Sequence, residues 1–174
     1  VYKNVFQKSN GTLNELVGKF CNDLGISNTE NINNFFIGKF SDNNINNTIS
    51  NDKITLIRDL KENGYKVILF SNSCCLLNND AIKEIYDLVD GVFYSYDIGY
   101  TKDDKESYQY VEKTLNVKPT EILHIGDTLK SDYLKPVENG WNALFYGVSD
   151  DESVNCISSL MELYDFFDIR TSKK

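Results

Sequence analysis

The spacing of apolar residues changes near residue 50, and the two parts of the chain predict different structures. The first part has helical spacing and no convincing strand. Thr12 and Glu15 have the spacing of a capping box and Gly25 is a typical helix stop, so we predict a helix between them. A second helix is predicted to begin near Thr29. The buried face of the first helix would consist of Leu13, Leu16, Val17, Phe20, Cys21 and Leu24.

From about residue 51 onward, short apolar runs alternate with helical stretches. Such alternation is typical of an α/β fold, in which helices cover both faces of a parallel sheet. We predict parallel strands of one sheet over residues 66–70, 92–95, 122–125 and 142–146. We predict helices over residues 51–64, 81–89 and 104–115, a helix that ends at Gly140, and a last helix from about Val154 to Phe167.

Composition excludes several classes of protein. The 174 residues suffice for one domain with a small appendage, and 41% hydrophobic with 25% charged residues is typical of a soluble globular protein. A net charge of -8 argues against nucleic acid as a partner. No apolar run approaches the roughly 18 residues of a membrane span. The four cysteines form no C-x-x-C pair, so we expect reduced thiols and a cytoplasmic location.

Polar side chains lie in the segments that follow three of the predicted strands. Ser71 and Asn72 follow the first strand, a loop leading to Lys102 follows the second, and Asp127 and Asp132 follow the third. In an open parallel sheet, ligands bind at the carboxyl ends of the strands. A hydroxyl, an ammonium and two carboxylates at one edge can bind a phosphoryl group and hold Mg²⁺ against it.

The order of these groups resembles the haloacid dehalogenase (HAD) superfamily. The apolar strand followed by Ser71-Asn72 is similar to motif II, Lys102 with Asp104 resembles motif III, and Gly126-Asp127 with Asp132 resembles motif IV. Asp103 stands where motif III has proline. The similarity covers about residues 51–165. A response-regulator receiver has a related set of residues, but its acidic cluster comes first and its lysine last.

The resemblance implies a fold and a reaction. It implies a three-layer Rossmann-like core with a parallel sheet over residues 51–174. Residues 1–50 resemble the rear part of the helical cap of phosphoglycolate-phosphatase-like members. It also implies an Mg²⁺-dependent phosphatase that acts on a small phosphorylated metabolite. Dehalogenases, phosphonatases and mutases share the fold, and fold alone does not fix the reaction.

The resemblance also assigns roles to residues. Ser71 and Asn72 would bind the phosphoryl group, Lys102 would bind it and act in catalysis, and Asp127 and Asp132 would hold Mg²⁺. Simpler interpretations stay open for each residue.

Ser71 can cap the next helix, and Lys105 is the main alternative to Lys102 as the lysine of motif III. Asp127 can be a turn residue, and Asp132 can cap the helix that it opens. His124 is expected to be structural, because it lies within a strand beside apolar residues.

Motif I, which carries the nucleophilic aspartate, has no match before the cap. Because the chain begins at Val1, we expect this strand outside the chain, on an N-terminal segment or a second chain that completes the sheet. Asp168-Ile169-Arg170 weakly resembles motif I, but the spacing of the apolar residues before it favours the end of a helix. We therefore predict that this chain alone is inactive. The alternative is a degenerate HAD domain that binds a ligand or partner without turnover.

Overall fold

The computed structural model describes residues 1–41, 49–77 and 83–169, and its strands alternate with helices as an α/β fold requires. The helices are Leu13–Leu24 (α1), Glu30–Ser41 (α2), Asn51–Glu62 (α3), Lys83–Tyr86 (α4), Ser95–Ile98 (α5), Lys105–Leu115 (α6), Lys135–Glu138 (α7) and Leu163–Phe166 (α8). The strands are Ile68–Ser71 (β1), Gly91–Tyr94 (β2), Leu123–Gly126 (β3), Asn142–Tyr146 (β4) and Cys156–Ile157 (β5). Two π-helical turns, Lys3–Gln7 and Leu129–Leu134, and two 3-10 turns, Pro119–Glu121 and Leu160–Glu162, complete the elements. Within these ranges, no helix is both long and apolar enough to cross a membrane.

Local signals place α1 as predicted. The Thr12 hydroxyl accepts a hydrogen bond from the Glu15 N–H, and the Glu15 carboxylate accepts one from the Thr12 N–H, which is the reciprocal pattern of a capping box. Gly25 ends the helix with φ of 67°, a left-handed conformation that glycine adopts at little cost. The first predicted helix is thus confirmed.

Residues near the N-terminus form an apolar cluster of their own, which we call the cap cluster. Phe6 is fully buried at its centre, and its ring contacts those of Phe20, Phe36 and Phe40. The buried members are Val5, Phe6, Leu16, Val17, Cys21, Phe36 and Cys74. The segment Cys74–Leu77, which follows β1, therefore packs into the cap cluster. The division of the chain at residue 50 stays a prediction.

The strands form two parallel sheets. Strand β1 pairs with β2, so that Ser71 lies opposite Tyr94. Strand β4 pairs with β3 on one side and with β5 on the other. The positions of the four predicted strands are confirmed to within two residues, and so is their parallel direction. The prediction of a single sheet is wrong for the described residues, which form a two-stranded and a three-stranded sheet.

The same two apolar layers cover both sheets. One layer, the α3 cluster, joins Leu56 of α3 to Val67 beside β1 and to Leu123 and Ile125 of β3. Its buried members are Leu56, Leu60, Leu144, Ile157, Leu163 and Ile169. The other layer is the α6 cluster, and its buried members are Phe70, Phe93, Tyr108, Val111 and Trp141. Helices on both faces of the strands give three layers.

The two sheets face each other across unpaired edges. Phe70 of β1 contacts His124 of β3, with 5.9 Å between their ring centroids. Yet within the described residues no backbone hydrogen bond joins β1 to β3. In this part of the chain, β1 pairs only with β2, and β3 pairs only with β4. We call the space between these edges the sheet gap. Unpaired edges normally invite another strand.

The predicted last helix is only partly correct. Val154 to Ile157 do not begin a helix, because β5 forms there and pairs with β4. The N–H groups of Phe145 and Gly147 donate to the carbonyls of Asn155 and Ile157, at 2.8 and 3.0 Å. A free edge of β4 thus overrides the helical spacing. Helix α8 ends at Phe166, and Arg170 lies outside the described residues.

The cap cluster predicts a large difference between two phenylalanines. Phe6→Ala should lower the free energy of unfolding by about 3–5 kcal/mol, because a fully buried ring leaves a cavity. Phe35→Ala, at a position that is 66% exposed, should cost about 1 kcal/mol or less. Urea unfolding of both variants measures the two costs. Equal losses would contradict the position of Phe6 at the centre of the cluster.

Candidate active site

The turn after β1 is fixed by a buried serine. The Ser73 N–H donates to the Ser95 hydroxyl at 3.0 Å, and that hydroxyl lies 3.2 Å from the Ser73 carbonyl, to which it donates. Ser95 is fully buried at the start of α5. These bonds hold the turn at the carboxyl end of β1, where Ser71 and Asn72 are half-buried. Ser71 and Asn72 therefore lie at the edge where the sequence predicts a ligand.

Lys102 is held at three points. Its N–H donates to the Asn72 side-chain carbonyl at 2.8 Å, and its own carbonyl accepts from the Tyr108 hydroxyl at 2.9 Å. Its ammonium group lies 2.6 Å from Asp132 Oδ1 and 3.3 Å from His124 Nε2. Lys102 is only 7% exposed, so this cluster is nearly closed to water.

The ion pair of Lys102 with Asp132 crosses the sheet gap. Lys102 is attached through Asn72 to the turn after β1, in the two-stranded sheet. Asp132 follows β3, in the three-stranded sheet. One buried charge pair therefore links the ends of two strands that share no backbone hydrogen bond in the described residues.

The Asp132 carboxylate has partners on both oxygens. Oδ1 accepts from Lys102, and Oδ2 accepts from the Thr128 N–H at 2.9 Å. Burial alone would raise the pKa of Asp132, but the hydrogen bond and the positive charge of Lys102, together with the hydrogen bond from the Thr128 N–H, hold that pKa well below its ordinary value. Asp132 is therefore ionised at neutral pH.

Gly126 allows this carboxylate to approach the strand. A Cβ atom at position 126 would lie 2.6 Å from the Asp132 Cγ and 2.7 Å from its Oδ2. Real Cβ atoms do not come so close, so a side chain at this position would displace Asp132. The Gly-Asp sequence of motif IV thus has a packing reason here, because glycine leaves room for Asp132.

A family model described as haloacid dehalogenase-like hydrolase matches residues 18–134, which is more than half of the chain. The chain belongs to this family. The resemblance that the three motifs indicate is thereby confirmed. No curated protein gives a significant sequence match.

Solved structures of HAD proteins share the fold. A HAD phosphatase from Thermococcus onnurineus is 18% identical, with a TM-score of 0.63, and the match covers 91% of this chain and 89% of that one. A HAD-family enzyme from Bacteroides thetaiotaomicron, solved with magnesium and inorganic phosphate, is 18% identical with a TM-score of 0.59, over 84% of this chain and 75% of that one. A dehalogenase is 18% identical with a TM-score of 0.60, over 87% and 69%.

Asp127 has the properties of a magnesium ligand. It is exposed in the turn after β3 and has no hydrogen bond or ion pair with any residue that the structure describes. Mg²⁺ is typically bound by one or two carboxylates together with water and substrate phosphate, which one free carboxylate suits. The described ranges contain no group of three or more His, Cys, Asp or Glu side chains that could hold a metal. Metal binding by Asp127 and Asp132 stays a prediction, and for Asp132 the bonds to Lys102 and Thr128 compete with it.

The loop of motif III is tied to the N-terminal segment. Lys3 forms an ion pair with Asp103, and Lys8 forms one with Asp104 at 2.6 Å. Asp104 also accepts from the N–H and the hydroxyl of Thr101, at 2.8 and 2.9 Å. Lys105, the alternative candidate for the lysine of motif III, is exposed at the start of α6. The structure thus brings Lys102, and not Lys105, to Asp132.

His124 lies in the charge cluster, and its structural role stays a prediction. Its ring is buried beside Lys102 and Asp132, and burial lowers the pKa of the imidazole, so it is neutral at pH 7. One signal was present in the sequence. Side chains alternate along a strand, so His124 must lie on the face of β3 opposite Leu123 and Ile125. That face is the one that Lys102 reaches.

We expect Gly126→Ala to break the charge cluster, because the added methyl group displaces the Asp132 carboxylate from Lys102. Loss of a buried partner costs about 3–5 kcal/mol of unfolding free energy. Gly18→Ala is the matched control, since Gly18 lies within α1 with no atom within 4 Å of the added Cβ. It should stabilise the protein by about 0.5–1 kcal/mol. Chemical denaturation compares the two, and a neutral Gly126→Ala would contradict the close approach.

The low pKa of Asp132 predicts a pH dependence. Because this pKa is lower in the folded than in the unfolded protein, the stability that it contributes is present above about pH 4 and is lost as the pH falls further. The stability difference between wild type and Asp132→Asn should therefore shrink below about pH 4. Asp103→Asn, which removes a more exposed ion pair, should show a smaller change. Thermal unfolding from pH 7 to 3 measures both, and a constant difference for Asp132→Asn contradicts the prediction.

Proposed function

We propose that this chain is the larger part of an Mg²⁺-dependent phosphatase for a small phosphorylated metabolite. The observation that carries the proposal is the buried pair of Lys102 and Asp132 at the carboxyl ends of the strands. A buried carboxylate holds an ammonium in place, and a fixed ammonium stabilises charge on a phosphoryl group better than a mobile one. The neighbouring Ser71 and Asn72 supply hydrogen-bond donors at the same edge.

Each of these groups has a role in binding the substrate. The Ser71 hydroxyl and the Asn72 amide nitrogen donate to phosphoryl oxygens. The Asn72 side chain can do so because its bond to the Lys102 N–H uses only its carbonyl oxygen. Lys102 neutralises charge on the phosphoryl group. Asp127 would hold Mg²⁺, whose charge would polarise the phosphoryl group. Together they orient the phosphorus for attack from one side.

The attacking carboxylate comes from a strand outside this chain. It attacks phosphorus, the bond to the leaving oxygen breaks, and water later hydrolyses the aspartyl-phosphate. The sheet gap supports this part of the proposal, because β1 and β3 each have a free parallel edge and the same apolar layers cover both. The inserted strand would run parallel to both strands. It would be apolar on both faces, with its aspartate at the carboxyl end.

The test is turnover of p-nitrophenyl phosphate with Mg²⁺. The purified chain alone should give no turnover above background, since none of Ser71, Lys102 and Asp127 is expected to act as a nucleophile. Adding a synthetic peptide with a short valine and isoleucine strand that ends in aspartate should restore turnover. The same peptide with asparagine in place of aspartate should not. Asp127→Ala should abolish the restored activity.

Two outcomes would change the proposal. Robust turnover by the chain alone that Asp127→Ala abolishes would mean that the nucleophile lies within the chain, and Asp168 would be the first residue to replace. A chain that binds phosphate and the aspartate peptide but never turns over would support the alternative, a HAD domain that binds its ligand without catalysis.

A further inference from the structure

We propose that His124 is a positioning residue for Lys102, and that it fixes the direction in which the ammonium group meets the phosphoryl group. This inference rests on the proposed function, since it takes Lys102 to be the residue that contacts phosphate. It assigns a role to the one histidine of the chain, which the fold alone does not require.

The contacts form a triangle of three charged or polar atoms. Lys102 Nζ lies 2.6 Å from Asp132 Oδ1, and His124 Nε2 lies 3.3 Å from each of them. A lysine ammonium has three N–H donors and no acceptor. Asp132 takes one of these donors, and in the tautomer that we propose the lone pair of His124 Nε2 takes a second. The third donor is then the only one left, and its direction is set by the other two.

The imidazole itself cannot turn away. Strand β3 holds its backbone, and the rings of Phe70 and Trp141 contact it, with centroids 5.9 and 6.2 Å away. Trp141 is anchored in turn, because its indole N–H donates to the Glu112 carboxylate at 2.7 Å. A ring packed against two aromatic neighbours keeps its Nε2 at one place.

Lysine needs such a second anchor. Its backbone is fixed by Asn72 and Tyr108, but four flexible bonds separate the backbone from the charge. One contact to Asp132 leaves the ammonium free to rotate about that contact. Phe70 adds a surface 5.3 Å from Nζ to its ring centroid, which limits the position of the ammonium without directing its N–H groups. His124 supplies the direction.

The experiment has one arm that needs no variant. In ¹⁵N-labelled wild-type protein, the chemical shift of His124 Nε2 distinguishes a bare nitrogen, which accepts from Lys102, from a protonated one, which donates to Asp132. A bare Nε2 is expected. A protonated Nε2 at pH 7 would overturn the proposal, whatever the protein does with phosphate.

The second arm measures the binding of inorganic phosphate, with Mg²⁺ present, by calorimetry. His124→Phe keeps the ring and loses the nitrogen, so its affinity should fall about tenfold, the effect of one charge-assisted hydrogen bond. His124→Gln keeps a polar group that can accept from Lys102 and should recover most of that loss.

The outcomes separate this inference from the function that it rests on. If His124→Phe binds phosphate as wild type does, or if His124→Gln recovers none of the affinity that His124→Phe loses, the role of His124 is packing and the inference is wrong. If the wild type itself binds no phosphate, the proposed function fails, and the state of Nε2 alone then decides whether His124 positions Lys102.

Discussion

The charge pair of Lys102 and Asp132 is the interaction on which the site depends. It joins a two-stranded and a three-stranded sheet at the carboxyl ends of β1 and β3, and these strands contribute no backbone hydrogen bonds to that link in the described part of the chain. A buried ion pair is rarely the most stable choice for a core, because both charges lose their water. Its presence here is better explained by its direction than by its strength. Under the proposed function, the pair would place one charge beside the phosphoryl group.

The apolar layers explain why the two sheets stay together without pairing. The α3 cluster contains residues of β3 and Val67 directly before β1, and the α6 cluster contains residues of β1 and Ile122 directly before β3, so each layer spans the sheet gap from one face. Hydrophobic contact is not directional and tolerates a missing strand, whereas the chemistry of a HAD phosphatase does not. The fold and the reaction therefore place different demands on the same space.

Local signals in the sequence were reliable, and contacts between distant segments were not. The capping box of Thr12 and Glu15 predicted α1 because both partners lie within one helical turn. The sequence could not show whether the strands form one sheet or two. In the described part of the chain, no strand lies between β1 and β3 to join their edges. Motif spacing brought attention to Lys102 and Asp132, whereas His124 begins the run His124-Ile125-Gly126-Asp127 that resembles motif IV but received no role from the resemblance. Its position depends on how a strand and a loop meet in three dimensions.

The segment Cys74–Leu77 has a consequence for how the cap could be exchanged or redesigned. It belongs to the core by sequence but to the cap cluster by packing, and the Cys75 thiol also lies 3.4 Å from the Gly11 carbonyl. Two residues separate it from Ser71. A cap transplanted from a relative would therefore lose its packing contacts with the core unless Cys74–Leu77 were transplanted with it. Under the proposed function, a change of the cap and a change at the phosphate-binding turn would therefore not be independent of each other.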